Sequence, residues 1–144
     1  MAPPGPQRTK SAERPKGPIV LLVEDVTDVR MVLAEILVRE GFGVAEARNG
    51  HEAVVKARAL KPDVIVMDIA LPMLGGIEAA HVIRAAEGLH DVPIIALTAR
   101  PVGTFDEHEF DGVLSKPCMP DVLVRRLHAV IVSRRKRCSP SGAT

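Results

Sequence analysis

Acidic, hydroxyl and ammonium side chains stand where the most apolar runs of this chain stop. IVLLV (19–23) is followed by Glu24 and Asp25, and VIVM (64–67) by Asp68. PIIAL (93–97) is followed by Thr98, and the short run 113–115 by Lys116 and Pro117. A carboxylate at the end of a buried strand is costly unless something pairs with it. Three of them close together repel one another, and desolvation raises their pKa values. A hard divalent cation relieves that repulsion. Magnesium fits, because it takes oxygen ligands and keeps several waters. In that arrangement Asp25 and Asp68 ligate directly and Glu24 acts through water, while the main-chain carbonyl of Ala70 adds a further oxygen. Asp68 can then attack a phosphoryl group and form an aspartyl phosphate. Phosphoryl transfer needs positioning and charge neutralisation above all. Lys116 supplies a compact cation for one phosphoryl oxygen and the Thr98 hydroxyl donates to another.

For these residues to meet, the elements that carry them must share one rim. The apolar runs 19–23, 44–47, 64–67, 93–97 and 113–115 read as strands. Between them lie helical patterns at 27–40, 50–60 and 75–87, and a closing helix at 121–132. In the first of these Val29, Val32, Leu33, Ile36 and Leu37 share a face. Gly75 and Gly76 read as turn residues. Strands alternating with helices predict an α/β fold with right-handed crossovers. The expected architecture is a doubly wound five-stranded parallel sheet of flavodoxin-like order 2-1-3-4-5. In such sheets the active site lies at the carboxyl ends of the strands.

The rest of the composition narrows the class. A chain of 144 residues fits one domain with tails. Residues 1–17 carry a net charge of +3 and residues 133–144 a net of +4, so the total of +1 leaves an acidic body at −6. That distribution does not suit a dedicated nucleic-acid binder. The Pro-rich leader 1–17 and the basic tail 134–144 are expected to be disordered, around a domain spanning 18–133. Two cysteines, Cys118 and Cys138, make no disulfide framework, so a reducing, cytoplasmic setting is the default. No stretch approaches the roughly 18 apolar residues of a membrane span, and the leader lacks the apolar centre of a signal peptide. The five histidines show no ligand spacing.

Four motifs, VED (23–25), MDIALP…GG (67–76), LTA (97–99) and SKP (115–117), each end an expected strand. Together they resemble the receiver domains of two-component response regulators, in a single-domain, chemotaxis-regulator-like form, over residues 18–132. The resemblance implies Asp68 as phosphoacceptor, Glu24 and Asp25 as the acidic pair that holds Mg2+, Thr98 as switch hydroxyl and Lys116 as the family's lysine. It also implies a histidine kinase or histidine phosphotransfer protein as phosphoryl donor. The chain would then be a signalling phosphoacceptor with self-catalysed phosphorylation and dephosphorylation only, and not a metabolic enzyme.

Two departures from the family touch its switch. The aromatic residue usual three positions before the lysine is Val113 here, which is β-branched and stiff. Thr98 and Lys116 are also about four residues closer in sequence than usual, about one helical turn. A fourth helix, somewhere in 103–110, should be short, frayed or missing. Retained chemistry with altered output follows, with the segment 100–111 as the moving part. Only 12 residues follow Val132, too few for a helix-turn-helix module. Output is thus expected through a downstream protein, with no nucleic acid and no membrane, from a monomer or weak homodimer. Two alternatives stand beside this reading: a phosphorylation-independent receiver-like scaffold, and the receiver piece of a hybrid histidine kinase. An Asp-nucleophile phosphatase would want a second acid where Ala70 stands. A flavodoxin would want aromatic rings, and the chain has no Trp or Tyr.

Overall fold

The computed structural model describes residues 17–71, 73–99 and 110–138. Among the described residues, five strands and four helices follow one another. They are β1 (Ile19–Val23), α1 (Thr27–Arg39), β2 (Gly43–Ala47), α2 (Gly50–Leu60) and β3 (Val64–Asp68), then α3 (Gly76–Ala85), β4 (Ile94–Thr98), β5 (Gly112–Ser115) and α4 (Pro120–Cys138). The strands form one parallel sheet in the order β2-β1-β3-β4-β5. The expected α/β architecture and strand order are those observed.

Burial explains why the three central strands read as unbroken apolar runs. Every residue of β3 and β4 is buried, and all of β1 after Ile19. Side chains alternate between the two faces of the sheet, as the pleat requires. Leu21, Val23, Ile65, Met67 and Ile94 point to one side, where Ala53, Ala57, Ala79, Ala80 and Ile83 of α2 and α3 meet them. Val20, Leu22, Val66, Ile95 and Leu97 point to the other, against Ala34, Leu37, Leu123, Leu127 and Ile131 of α1 and α4. A parallel sheet covered on both faces needs apolar residues at every position. The edge strands β2 and β5 are only partly buried.

Helix α2 starts on Asn49, whose side chain accepts from the Glu52 amide (2.8 Å), while Glu52 accepts from the Arg48 amide (2.6 Å). That second bond, above all, holds the Glu52 carboxyl below its usual range.

Two expectations need correction. The inward strip of α1 is Arg30, Ala34 and Leu37, whereas Val29 and Val32 are 40% and 56% exposed. The helix is turned so that the Arg30 guanidinium reaches the buried Glu24 carbonyl at the end of β1 and the Glu46 carboxylate of β2. The closing helix does not stop near Val132 but runs to Cys138, so the first residues of the expected disordered tail are helical. Arg134 holds this extension down. It donates to the carbonyls of Pro62 (3.4 Å) and Asp63 (3.5 Å) and pairs with Asp91 (3.7 Å). Cations are also favoured at a helix C-terminus. The helix expected in 103–110, and all but Asp111 and Phe110 of the segment 100–111, lie outside the described residues. Asp111 accepts from the Ile94 amide (2.8 Å) and pairs with Arg84 (2.7 Å), which fixes the entry to β5.

Candidate functional site

Strand register brings the candidate residues to one rim. Val23 lies opposite Met67 in the β1–β3 ladder, so the residues that follow, Glu24 and Asp68, are neighbours. Asp68 lies opposite Leu97, and Thr98 opposite Ser115. The ladder continues one bond further, from the Lys116 amide to the Thr98 carbonyl (2.8 Å). The next peptide, Lys116–Pro117, is cis.

Glu24, Asp25 and Asp68 each offer a carboxylate oxygen, all within 4.8 Å of one another. Glu24 and Asp68 are 0% and 4% exposed, and Asp25 faces solvent. Lys116 Nζ donates to Asp68 Oδ2 (2.7 Å) and to Glu24 Oε1 (3.2 Å). The remaining oxygens are also engaged. Glu24 Oε2 accepts from the Val26 amide (3.2 Å) and Asp68 Oδ1 from the Ala70 amide (2.9 Å). Thr98 is buried at the end of β4. Val113 is half-buried on β5, in register with Ala96, and is not part of the cluster. Ala70 is exposed in the turn after Asp68.

Burial pushes the Glu24 carboxyl up, the negative charge of Asp68 adds to this, and the Val26 amide and Lys116 offset it only in part. Burial acts to lower the Lys116 ammonium. The hydrogen bond and charge of Asp68, followed by those of Glu24, outweigh it, so its pKa is raised. Three carboxylates and one ammonium leave two negative charges, which one divalent cation would balance. The donors are all oxygen, the set that a hard cation takes, and exposed Asp25 leaves room for its waters. The cluster therefore fits a divalent metal.

A pH dependence follows from Glu24. Its folded-state pKa lies above the ordinary value of 4.5. Between those two values the folded state holds more protons than the unfolded chain, so its stability falls as pH rises and levels off above. Glu24→Gln is expected to remove that slope and to raise Tm by a few degrees at pH 7 in metal-free buffer. Thermal unfolding of both proteins from pH 4 to 8 checks it.

One buried cation escaped the sequence reading. Arg30 is 8% exposed; its Nη1 donates to the Glu24 carbonyl (2.8 Å) and its Nε to Glu46 Oε1 (3.0 Å). The signal was present: 30, 33, 34 and 37 make an i, i+3, i+4, i+7 strip as regular as the aliphatic one beside it.

Known proteins share this fold. The family described as the response regulator receiver domain matches residues 20–128. The DNA-binding response regulator MtrA of Mycobacterium tuberculosis is 36% identical over 115 residues, which cover 76% of this chain and 49% of that protein. The chain thus spans about half the length of the curated relatives it matches. Among solved structures, the receiver domain of the sensor histidine kinase PA1611 from Pseudomonas aeruginosa, with a magnesium ion coordinated in its active-site cleft, is 36% identical. It has a TM-score of 0.74 and the match covers 80% of this chain and 98% of that one. The chemotaxis response regulator CheY4 of Vibrio cholerae is 30% identical with a TM-score of 0.72, covering 78% and 98%. With the family model matched over most of its length and the same fold in receiver domains 30–36% identical to it, the chain belongs to the family of response regulator receiver domains.

Proposed function

We propose that the domain accepts a phosphoryl group on Asp68 from a histidine kinase or histidine phosphotransfer protein, in a Mg2+-dependent reaction in the cytoplasm. One observation carries this reading: the buried Asp68 carboxylate touches the Lys116 ammonium and lies within 4.8 Å of two further acids. An Asp68 oxygen attacks phosphorus, the bond from phosphorus to the donor's imidazole nitrogen breaks, and its electron pair returns to the ring. Glu24, Asp25 and Asp68 would hold the metal, with the Ala70 carbonyl as a further oxygen. When bound, the metal supplies positive charge opposite the transferring phosphoryl oxygens. Lys116 exchanges its carboxylate contact for a phosphoryl oxygen, and the Thr98 hydroxyl donates to another.

The donor's docking surface is apolar. Val26, Val29 and Val32 are exposed beside the acids, and Met73 and Met119 are exposed on the loops leaving β3 and β5 at the same rim. Clustered apolar side chains of this kind suit a protein partner. Output is proposed to run through protein contacts, since the acidic body repels DNA phosphates. Val113 is β-branched and stiff, so the switch is proposed to work without a rotating ring at that position.

The test is intact mass after incubation with Mg2+ and acetyl phosphate. A single phosphoryl adduct on the parent, absent from Asp68→Asn, is the expected result. A folded parent that takes no phosphoryl group, from acetyl phosphate or from a phosphorylated phosphotransfer protein, would sink the reading in favour of a phosphorylation-independent scaffold.

A further inference from the structure

Arg30 is the one buried basic side chain among the described residues, and its partners are Glu24 and Glu46 rather than Asp68 or Lys116. Burying a guanidinium is costly, and an aliphatic side chain would fill the same place on α1 at lower cost. What only an arginine supplies there is a rigid fork of donors. One prong takes the main-chain carbonyl of Glu24, the other the carboxylate of Glu46 on β2. Glu46 is itself braced, since its main-chain carbonyl accepts from Lys56 Nζ and Lys56 pairs with Glu52 (3.4 Å) on α2.

The consequence falls on Glu24. Its amide is fixed by the Ala47 carbonyl of β2 (3.0 Å) and its carbonyl by Arg30. Its two carboxylate oxygens are taken by Val26 and Lys116. Asp25 is the next residue, so its direction follows from the same peptide plane. The Glu24–Asp25 peptide is therefore oriented by α1 and β2 together, at the point where the acidic pair must face Asp68.

We propose that Arg30, anchored by Glu46, is the positioning residue of the acidic pair: it sets the placement of Glu24 and Asp25 against Asp68 and thereby the affinity of the cluster for a divalent cation. This rests on the reading of the cluster as a metal site. Groups behind metal ligands commonly matter by 10–100-fold in affinity. Arg30→Met, similar in length but without donors, is expected to bind Mg2+ about tenfold more weakly. Arg30→Lys, which can reach one acceptor at a time, falls between Met and the parent. Glu46→Gln keeps an acceptor and stays near the parent, whereas Glu46→Ala loses the anchor and weakens binding severalfold.

The measurement is a Mg2+ titration followed by amide NMR shifts, beside thermal unfolding of each variant without metal. Val54→Ala is the control: it removes buried volume on the other side of the sheet, so it lowers stability and leaves the Mg2+ dissociation constant unchanged. A folded Arg30→Met with the parent's constant overturns the proposal. So does a Val54→Ala that weakens Mg2+ as much as Arg30→Met at equal loss of Tm. Should Arg30→Met fail to fold, Arg30→Lys and Glu46→Ala carry the comparison, and parent-like binding by both overturns it. A parent that binds no Mg2+ would instead remove the metal-site reading, and this proposal with it.

Discussion

Lys116→Met is expected to cost the fold about 2–3 kcal/mol in metal-free buffer, and Mg2+ is expected to restore most of it. The ammonium touches two carboxylates that are almost wholly buried, at 2.7 and 3.2 Å. Removing it leaves two desolvated negative charges facing each other. Breaking a buried ion pair typically costs about 3–5 kcal/mol. Lys116 keeps 28% of its side-chain surface exposed, and solvent screening reduces the figure accordingly. Its pKa is raised above the ordinary 10.5 by the carboxylates. While its partner carboxylates are ionised, its contribution is therefore complete below the ordinary 10.5 and is lost as pH rises through the raised value. A divalent cation seated among the same oxygens takes over the neutralising role and adds its binding free energy to the folded state. Urea unfolding of parent and variant, with chelator and with Mg2+, reads both numbers. An equal loss in the two buffers would mean that metal and lysine do not share the carboxylates.

Two adjacent glycines should behave in opposite ways. A Cβ on Gly76 would lie 2.4 Å from the Asp68 carbonyl oxygen and 2.8 Å from Ile69 Cα, both main chain. Neither atom can give way unless the first turn of α3 lifts off the end of β3. Gly76→Ala should therefore cost about 3 kcal/mol, overriding the roughly 0.5–1 kcal/mol that alanine gains over glycine in a helix. It should also weaken Mg2+ binding, because the strained carbonyl is that of Asp68, the proposed phosphoacceptor. A Cβ on Gly75 would meet only the Glu78 carboxylate, at 2.6 Å. That flexible side chain can swing away, so Gly75→Ala should change stability by no more than about 1 kcal/mol, the scale of an N-cap substitution. Denaturant midpoints of the two variants check the contrast. Equal losses would show that the pair serves only as a turn.

The sequence discloses this site well because of how parallel sheets are built. A strand buried on both faces writes itself as an apolar run, and the first polar residue after it stands at the carboxyl rim. Glu24, Asp68, Thr98 and Lys116 could be placed by that rule alone. The orientation of α1 could not. Val29, Val32, Leu33, Ile36 and Leu37 make a more hydrophobic stripe than Arg30, Leu33, Ala34 and Leu37, yet the second faces the sheet. Both stripes have helical spacing, and a buried carbonyl at the end of β1 decides between them. The same holds for Gly76, where the constraint comes from the backbone of Asp68 rather than from a turn. It holds too for the last turns of α4, where Arg134 is read as solvated until its distant partners at Pro62 and Asp63 are known.

Those partners say something about direction. Parallel strands give the sheet two unlike poles, and Arg134 grips the one where β3 begins while Asp68 marks the one where it ends. The carbonyls that Arg134 holds thus lie about 16 Å, one five-residue strand, from the carboxylate proposed to be modified. A phosphoryl group there cannot touch the pole that Arg134 holds. Any message to that end must travel mechanically through packed helix and sheet, as a push transmitted along a rod, and its strength is set by the stiffness of the body in between.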